Sequence, residues 1–211
     1  MTLQLEATLD TALVDLQLLR HPFYQRWEAG ELRREELTDY VEQYRYFEAM
    51  LPVFLESVSE QLPDGPVRDL LLANLADEVS PPSHIDLLEQ FARFVDAAES
   101  EISPAMLHLV SSYSNLLHRG PVSSLAGLWA YESQGAAIAD SKAEGLVKHY
   151  EADSEAIAFW TLHGTIEEDH ARWTLDALES LNPEADEVRA AALLIANAWW
   201  SFLDERELLA A

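Results

Sequence analysis

Apolar side chains recur every three or four positions along most of the chain, and runs of alternating apolar and polar residues are missing. This spacing places the apolar residues on one face of a helix, whereas a half-buried strand requires alternation. The pattern therefore predicts an all-α protein. Prolines separate the segments, and several stand where a helix would begin. The predicted helices are residues 3–19, 22–28, 35–60, 66–79, 84–98, 104–118, 122–149, 153–180 and 184–208.

The connections between these segments are short, and no repeat or low-complexity linker interrupts them. The 211 residues suffice for one continuous core. We therefore predict one domain over residues 1–211, built as a compact bundle of seven to eight helices.

Charge and composition restrict the classes of function. The net charge of −25 comes from 38 acidic and 13 basic residues, and such a surface repels nucleic acids and anionic membranes. No apolar run is long enough to cross a bilayer and no signal peptide opens the chain, so a cytoplasmic protein is expected. Cysteine is absent, so any metal would be bound by histidine and carboxylate side chains.

One predicted helix carries a polar stripe on an otherwise apolar face. In the stretch WTLHGTIEEDHARW, His163, Glu167 and His170 are spaced i, i+4 and i+7 and therefore share one face. Such a stripe is either a set of metal ligands or a polar seam between helices. Matching ligands from other helices would favour the metal site.

Two further segments supply such ligands. Glu78 ends one helix on its apolar side, and His84 opens the next after a double-proline turn. Glu132 lies among small, apolar and aromatic residues, where an unpaired carboxylate would cost several kcal/mol. The six residues together would hold two first-row metal ions, iron or manganese in preference to softer-site metals, although ligand type does not exclude zinc.

A simpler interpretation exists for each residue taken alone. His84 would make a local hydrogen bond at a helix start, and Glu78 would be a solvated helix end. His163 and His170 would be ordinary core or surface residues. The combination of acid and imidazole in three segments favours a metal site.

The chain resembles the haem-oxygenase-like dimetal oxidases, relatives of the TenA-like bundles, from HPFYQRWEAGELRREELTDYVEQY to HARW. In that superfamily a Glu and a nearby His precede a second Glu and a final His-x-x-x-Asp/Glu-x-x-His. The resemblance implies that the metal ligands are Glu78, His84, Glu132, His163, Glu167 and His170.

Within the superfamily, the chain resembles the group of chlamydial proteins associating with death domains. The resemblance lies in four stretches, HPFYQRW, ELTDYVEQY, NLADE…HIDL and YESQ…IADSK. The resemblance implies a self-sacrificing synthesis of para-aminobenzoate for folate. It implies that Tyr24 is the consumed tyrosine, that Tyr40 is a second redox-active tyrosine and that Lys142 donates the amino group. Glu167 stands where the chlamydial group has Asp, which leads us to expect altered metal spacing.

From the residues alone, these three side chains have simpler roles: Tyr24 and Tyr40 as core tyrosines with outward hydroxyls, and Lys142 as a salt-bridge partner of Glu144.

Three functions remain open from the sequence. The first is the self-sacrificing oxygenase, with an Fe/Fe or Mn/Fe pair and with O2 and an external reductant as co-substrates. The second is a dimetal oxidase of an external amino acid, amine or fatty acid, because one scaffold supports many reactions. The third is a metal-free helical binding protein. A homodimer is expected by analogy with bundle relatives.

Overall fold

The computed structural model describes residues 2–209, and every regular element within that range is helical. The helices are α1 (Thr2–Leu13), α2 (Pro22–Ala29), α3 (Arg34–Gln61), α4 (Pro66–Val79), α5 (His84–Phe94), α6 (Pro104–Arg119), α7 (Pro121–Tyr150), α8 (Ala158–Ser180) and α9 (Ala185–Leu209). Short 3₁₀ turns at Val14–Leu16 and Leu18–Arg20 connect α1 to α2.

The all-α prediction is confirmed, and each of the nine predicted segments corresponds to one helix. Apart from the eight-residue α2, eight helices form the bundle, which agrees with the predicted seven to eight. Among the described residues, no helix is long and apolar enough to cross a membrane.

Three helix boundaries differ from the prediction by more than one residue. Helix α1 ends at Leu13 rather than residue 19, because the chain continues in 3₁₀ turns. Helix α5 ends at Phe94 rather than residue 98, and Asp96 adopts a left-handed conformation with φ 60°. Helix α8 begins at Ala158 rather than residue 153.

The late start of α8 has a local cause. The side chain of Asp153 accepts hydrogen bonds from the backbone N–H groups of Glu155 and Ala156. An aspartate that binds the backbone in this way stabilises a turn in competition with the helix. Apolar periodicity does not register that competition, so it extends the predicted helix over the turn.

Helix α7 is the centre of the bundle. It has 30 residues, and its stretch 123–132 is buried on all sides. A helix buried all round must be enclosed by neighbours, and α7 packs along both α8 and α9. The first half of α7 therefore holds any polar side chain that it carries in the interior of the protein.

Gly127 allows α7 to approach its neighbours closely. A Cβ atom at this position would lie 2.3 Å from Cδ1 of Leu116 and 2.9 Å from Cγ1 of Ile195. Both distances are shorter than van der Waals contact, so α6 and α9 pack directly against the α7 backbone.

We predict that Gly127→Ala lowers the free energy of unfolding by about 1–3 kcal/mol, because the added methyl group overpacks the core. Urea unfolding followed by circular dichroism measures the change. Glu144→Ala, at an exposed position of the same helix, should change it by less than about 0.5 kcal/mol. Equal effects of the two substitutions would show that the α6–α7–α9 contact is looser than the structure indicates.

Candidate metal centre

The six predicted ligands converge at one place in the interior. They come from the end of α4, the start of α5, the middle of α7 and the middle of α8, and all six are buried. Two triads of donor residues lie there, and within each triad the donor atoms are within 4.8 Å of one another. One triad is Glu48, His84 and His163, and the other is Glu132, Glu167 and His170.

Helix α8 supplies half of the predicted set from one face. His163 Nδ1 contacts the backbone carbonyl of Phe159 at 2.8 Å, and its Nε2 lies 3.8 Å from Oε1 of Glu167. When a carbonyl occupies one ring nitrogen as an acceptor, that nitrogen carries the proton and the other keeps its lone pair. His163 therefore presents a lone pair from Nε2 on the side of Glu167.

Glu167 reaches its position because α7 leaves room for it. A Cβ atom on Gly135 would lie 2.8 Å from the Glu167 carboxyl carbon and from its Oε2. The absence of a side chain at residue 135 thus leaves the space that the Glu167 carboxylate occupies.

The connection between α4 and α5 places the side chains of Glu78 and His84 in the interior. Ser83 caps α5 by accepting a hydrogen bond from the N–H of Asp86, whose carboxylate accepts one from the Ser83 N–H. His84 is therefore not required for capping and is buried instead. Its Nδ1 lies 2.7 Å from Oε2 of Glu78, yet the two atoms lack hydrogen-bond geometry and have no other partner.

Glu132 is held by two neighbouring side chains. The Asn74 side-chain amide donates to Oε1 at 2.9 Å, and the Thr174 hydroxyl donates to Oε2 at 2.6 Å. The carboxylate is thereby fixed in orientation while each oxygen keeps a further lone pair. Such a group is suited to bind a cation through these lone pairs.

Glu48 on α3 is a member of the cluster that the sequence analysis missed. It is fully enclosed, and neither carboxylate oxygen has a hydrogen-bond partner. A signal was present, because Glu48 continues the buried stripe of Tyr40, Tyr44, Leu51 and Leu55 at helical spacing. A carboxylate on this apolar face of α3 indicates a metal ligand for the same reason that Glu132 does on α7.

Burial raises the pKa of the carboxylic acids in this cluster and lowers the pKa of His163. It raises the pKa of Glu48, Glu78, Glu132 and Glu167 above their usual range, and repulsion among neighbouring carboxylates adds to the increase. Burial lowers the pKa of His163 to about 3, with the neighbouring His84 contributing. Neutral histidines and carboxylates that lack positive partners are the donors that a metal cation requires.

The orphaned atoms allow the fit of a metal to be tested. Oxygens of Glu48, Glu78 and Glu167 and Nδ1 of His84 are buried without partners, which is costly in an apolar interior. Divalent cations coordinated by these atoms would satisfy them and would neutralise the carboxylates. A donor set of histidine nitrogens and carboxylate oxygens suits iron and manganese. The residues therefore fit a pair of such ions.

A second buried group joins Tyr24, Tyr40 and Lys142. The two tyrosine hydroxyls share a hydrogen bond of 2.9 Å, and Lys142 Nζ donates to the Tyr40 hydroxyl at 2.6 Å. The Lys142 amine also lies 4.5 Å from the centre of the Tyr24 ring and 4.2 Å from that of Trp160. The hydroxyls point inward, and Lys142 is buried rather than paired with Glu144 on the surface.

The amine has no carboxylate within ion-pair distance among the described residues. Burial lowers the pKa of Lys142 well below its usual range, and the charge of Glu48 opposes that shift. Burial also raises the pKa of Tyr24 and Tyr40. The arrangement thus favours a neutral amine beside two protonated phenols, close to the carboxylate–histidine cluster.

Solved structures with the same architecture define the class of the fold. The chain superposes on a TenA homologue from Pseudomonas syringae with a TM-score of 0.84 at 15% identity, covering 97% of this chain and 93% of the other. A CADD-like protein of unknown function from Nostoc punctiforme gives a TM-score of 0.76 at 17% identity, covering 97% and 96%. A protein from Shewanella denitrificans with a haem-oxygenase-like fold gives 0.72 at 14%, covering 96% and 88%. The protein is a haem-oxygenase-like helical bundle.

Sequence comparison assigns the family. The family model described as an iron-containing redox enzyme matches residues 38–200. The chain belongs to this family. The match includes all six predicted ligands, Glu48, Tyr40 and Lys142, and it begins after Tyr24.

Curated proteins named 4-aminobenzoate synthase are similar over nearly the whole chain. One from Chlamydia muridarum is 30% identical, covering 93% of this chain and 87% of its own length. One from Nitrosomonas europaea is 33% identical, covering 92% and 87%. The resemblance inferred from the sequence motifs is confirmed.

We predict that Glu48→Gln makes the metal-free protein progressively more stable than the wild type as pH rises. Folded wild type retains the Glu48 proton that the unfolded chain releases above about pH 4.5, so its stability falls with rising pH. The difference should grow by up to about 1.4 kcal/mol per pH unit. Urea unfolding of both proteins with chelator present, from about pH 5 to about pH 7, measures it.

The matched control is Glu56→Gln, an exposed position on the same helix, for which the difference should not vary with pH. A difference for Glu48→Gln that is constant across this range would mean that Glu48 ionises as it does in water.

Proposed function

We propose that this protein is a dimetal oxygenase that makes 4-aminobenzoate from its own Tyr24, with Lys142 as the source of the amine. The observation that carries the proposal is the buried chain Lys142–Tyr40–Tyr24, with contacts of 2.6 and 2.9 Å. The names of the chlamydial and Nitrosomonas relatives support the product.

The atoms of Tyr24 are sufficient for the carbon skeleton of the product. A tyrosine side chain is a six-membered ring with Cβ at one end and oxygen at the opposite end. Cleavage of the Cα–Cβ bond and oxidation of Cβ give the carboxylate carbon. The nitrogen of Lys142 then bonds to the ring carbon in place of the phenolic oxygen, which leaves as water, and the Cε–Nζ bond of Lys142 breaks with Cε oxidised to an aldehyde. This gives 4-aminobenzoate, with O2 as the oxidant and an external reductant supplying the further electrons that reduce O2 to water.

The surroundings of Lys142 suit an amine donor. A neutral amine has a lone pair that can bond to carbon. Burial among Tyr24, Trp27, Tyr40, Tyr44 and Trp160 lowers the pKa of Lys142 and so favours this form. The hydrogen bond to Tyr40 holds Nζ near the Tyr24 ring. The same hydroxyl pair offers a path for a proton and an electron from Tyr24 through Tyr40.

The metal ions would be held by the two triads together with Glu78, as an Fe/Fe or Mn/Fe pair. When bound, such a pair supplies the activation of O2 that oxidation of a phenol side chain requires. The residues around it exclude water, because Phe159, Trp160 and Tyr44 are all buried beside the cluster. Water exclusion protects an oxidised side chain from side reactions.

Isotope labelling of lysine tests the proposal, because the chain contains only Lys142 and Lys148. Protein made with ¹⁵N-lysine, loaded with Fe(II) alone or with Mn(II) and Fe(II), and exposed to O2 and reductant should release ¹⁵N-labelled 4-aminobenzoate. Intact-protein mass spectrometry should show a mass loss that peptide mapping places at Tyr24, together with a small mass change at Lys142 from the loss of its nitrogen. Yield should not exceed about one product per chain, because the substrate is consumed.

Matched variants separate the roles. Lys142→Arg and Tyr24→Phe should abolish the product, whereas Lys148→Arg and Tyr150→Phe, which alter more exposed positions, should retain it. Labelled product from Lys142→Arg, or product from Tyr24→Phe, would overturn the proposal. Oxygen consumption over many turnovers with an added amine, amino acid or fatty acid and an unchanged protein would assign an external substrate.

A further inference from the structure

Helix α4 contributes more to the cluster than Glu78. Asn74, Asp77 and Glu78 are spaced i, i+3 and i+4 and therefore face the same side of α4. Asn74 donates to Glu132, and Glu78 lies against His84. Asp77 is the remaining member of this face, and its Oδ2 lies 3.2 Å from Nε2 of His170.

The contact between Asp77 and His170 crosses the boundary of the buried cluster. The His170 side chain is 1% exposed, whereas that of Asp77 is 48% exposed. A half-exposed pair of this kind contributes little to the free energy of folding. Its consequence is local, because a carboxylate at hydrogen-bond distance from Nε2 stabilises the tautomer with the proton on Nε2.

In each of the two α8 histidines, one ring nitrogen carries a proton and donates it to a protein partner. These partners differ between His163 and His170. His163 uses the carbonyl of Phe159, a residue of its own helix, through Nδ1. His170 uses a carboxylate from another helix through Nε2. A carboxylate partner makes the imidazole a better donor than a carbonyl partner does, because its charge compensates the positive charge that develops on the ring.

We propose that Asp77 is a positioning residue for the metal ion held by Glu132, Glu167 and His170. It accepts the Nε2–H of His170, which leaves the Nδ1 lone pair for the metal and fixes the orientation of the ring. The inference rests on the proposed dimetal site but concerns only one of its two positions. Asp77 itself belongs to neither triad of donor residues.

Titration of the metal-free protein with Mn(II) tests the inference without activity. Free Mn(II) is followed by electron paramagnetic resonance, and competition with a chelator gives the affinity of each position. Asp77→Ala should weaken one of the two Mn(II) equivalents by about 10–100-fold and leave the other nearly unchanged. The bound-Mn(II) spectrum of the weakened position should change as well.

Two variants control for a general structural effect. Asp77→Asn keeps an oxygen acceptor of the same shape but removes the charge, so it should recover part of the lost affinity and remain weaker than the wild type. Asp169→Ala removes a surface carboxylate that adjoins His170 in sequence and pairs with Arg172, and it should bind Mn(II) as the wild type does. Thermal unfolding of all the metal-free variants should be close to that of the wild type.

The outcomes distinguish this inference from the proposed function. Wild type that binds two Mn(II) ions together with an Asp77→Ala variant of unchanged affinity would overturn the role of Asp77 alone. Equal weakening of both positions accompanied by loss of thermal stability would assign Asp77 a structural role. Wild type that binds no metal would overturn the dimetal site and this inference with it.

Discussion

The structure depends on compensation of a concentrated buried negative charge. Four glutamates from α3, α4, α7 and α8 meet in a core otherwise filled with aromatic and aliphatic side chains. Ionised carboxylates at this density repel one another strongly and have lost their hydration. Protons can neutralise them, but metal cations do so while also satisfying the unpartnered oxygen and nitrogen atoms. The bundle is therefore organised around a set of buried donor residues that fits cations.

A second buried group, without a carboxylate partner, lies next to the first. Lys142 is the only buried lysine among the described residues, and it sits among aromatic rings with a tyrosine hydroxyl as its acceptor. Packing this amine costs free energy that an apolar residue would not cost. Under the proposed reaction this cost has a purpose, because burial lowers the pKa of the amine and so favours the form whose lone pair can bond to carbon.

Sequence analysis could predict whatever depends on spacing within one helix. The stripe of His163, Glu167 and His170 is fixed by the helical repeat, and the structure places it in the interior as one face. Helix ends were less predictable, since side-chain contacts such as those of Asp153 decide them. Glu48 was missed, because its role as a donor depends on how α3 packs near α5 and α8, which places its carboxylate close to His84 and His163.

Relations between helices could not be derived from periodicity. Lys142 and Tyr40 are 102 residues apart, and helical spacing within α7 does not reveal which residues the amine contacts. The resemblance to a known group supplied that pairing, and the packing of α2 and α3 against α7 accounts for it physically. The division of the ligands into two triads likewise follows from the tertiary structure alone.

The most direct test of the central claim is crystallographic. Anomalous diffraction at the iron and manganese absorption edges, from crystals of the protein loaded anaerobically, locates bound metal without reference to activity. Two anomalous peaks are expected, one within the triad of Glu48, His84 and His163 and one within that of Glu132, Glu167 and His170. Loaded crystals with no peak among these residues would contradict the claim, and the buried carboxylates would then be neutralised by protons.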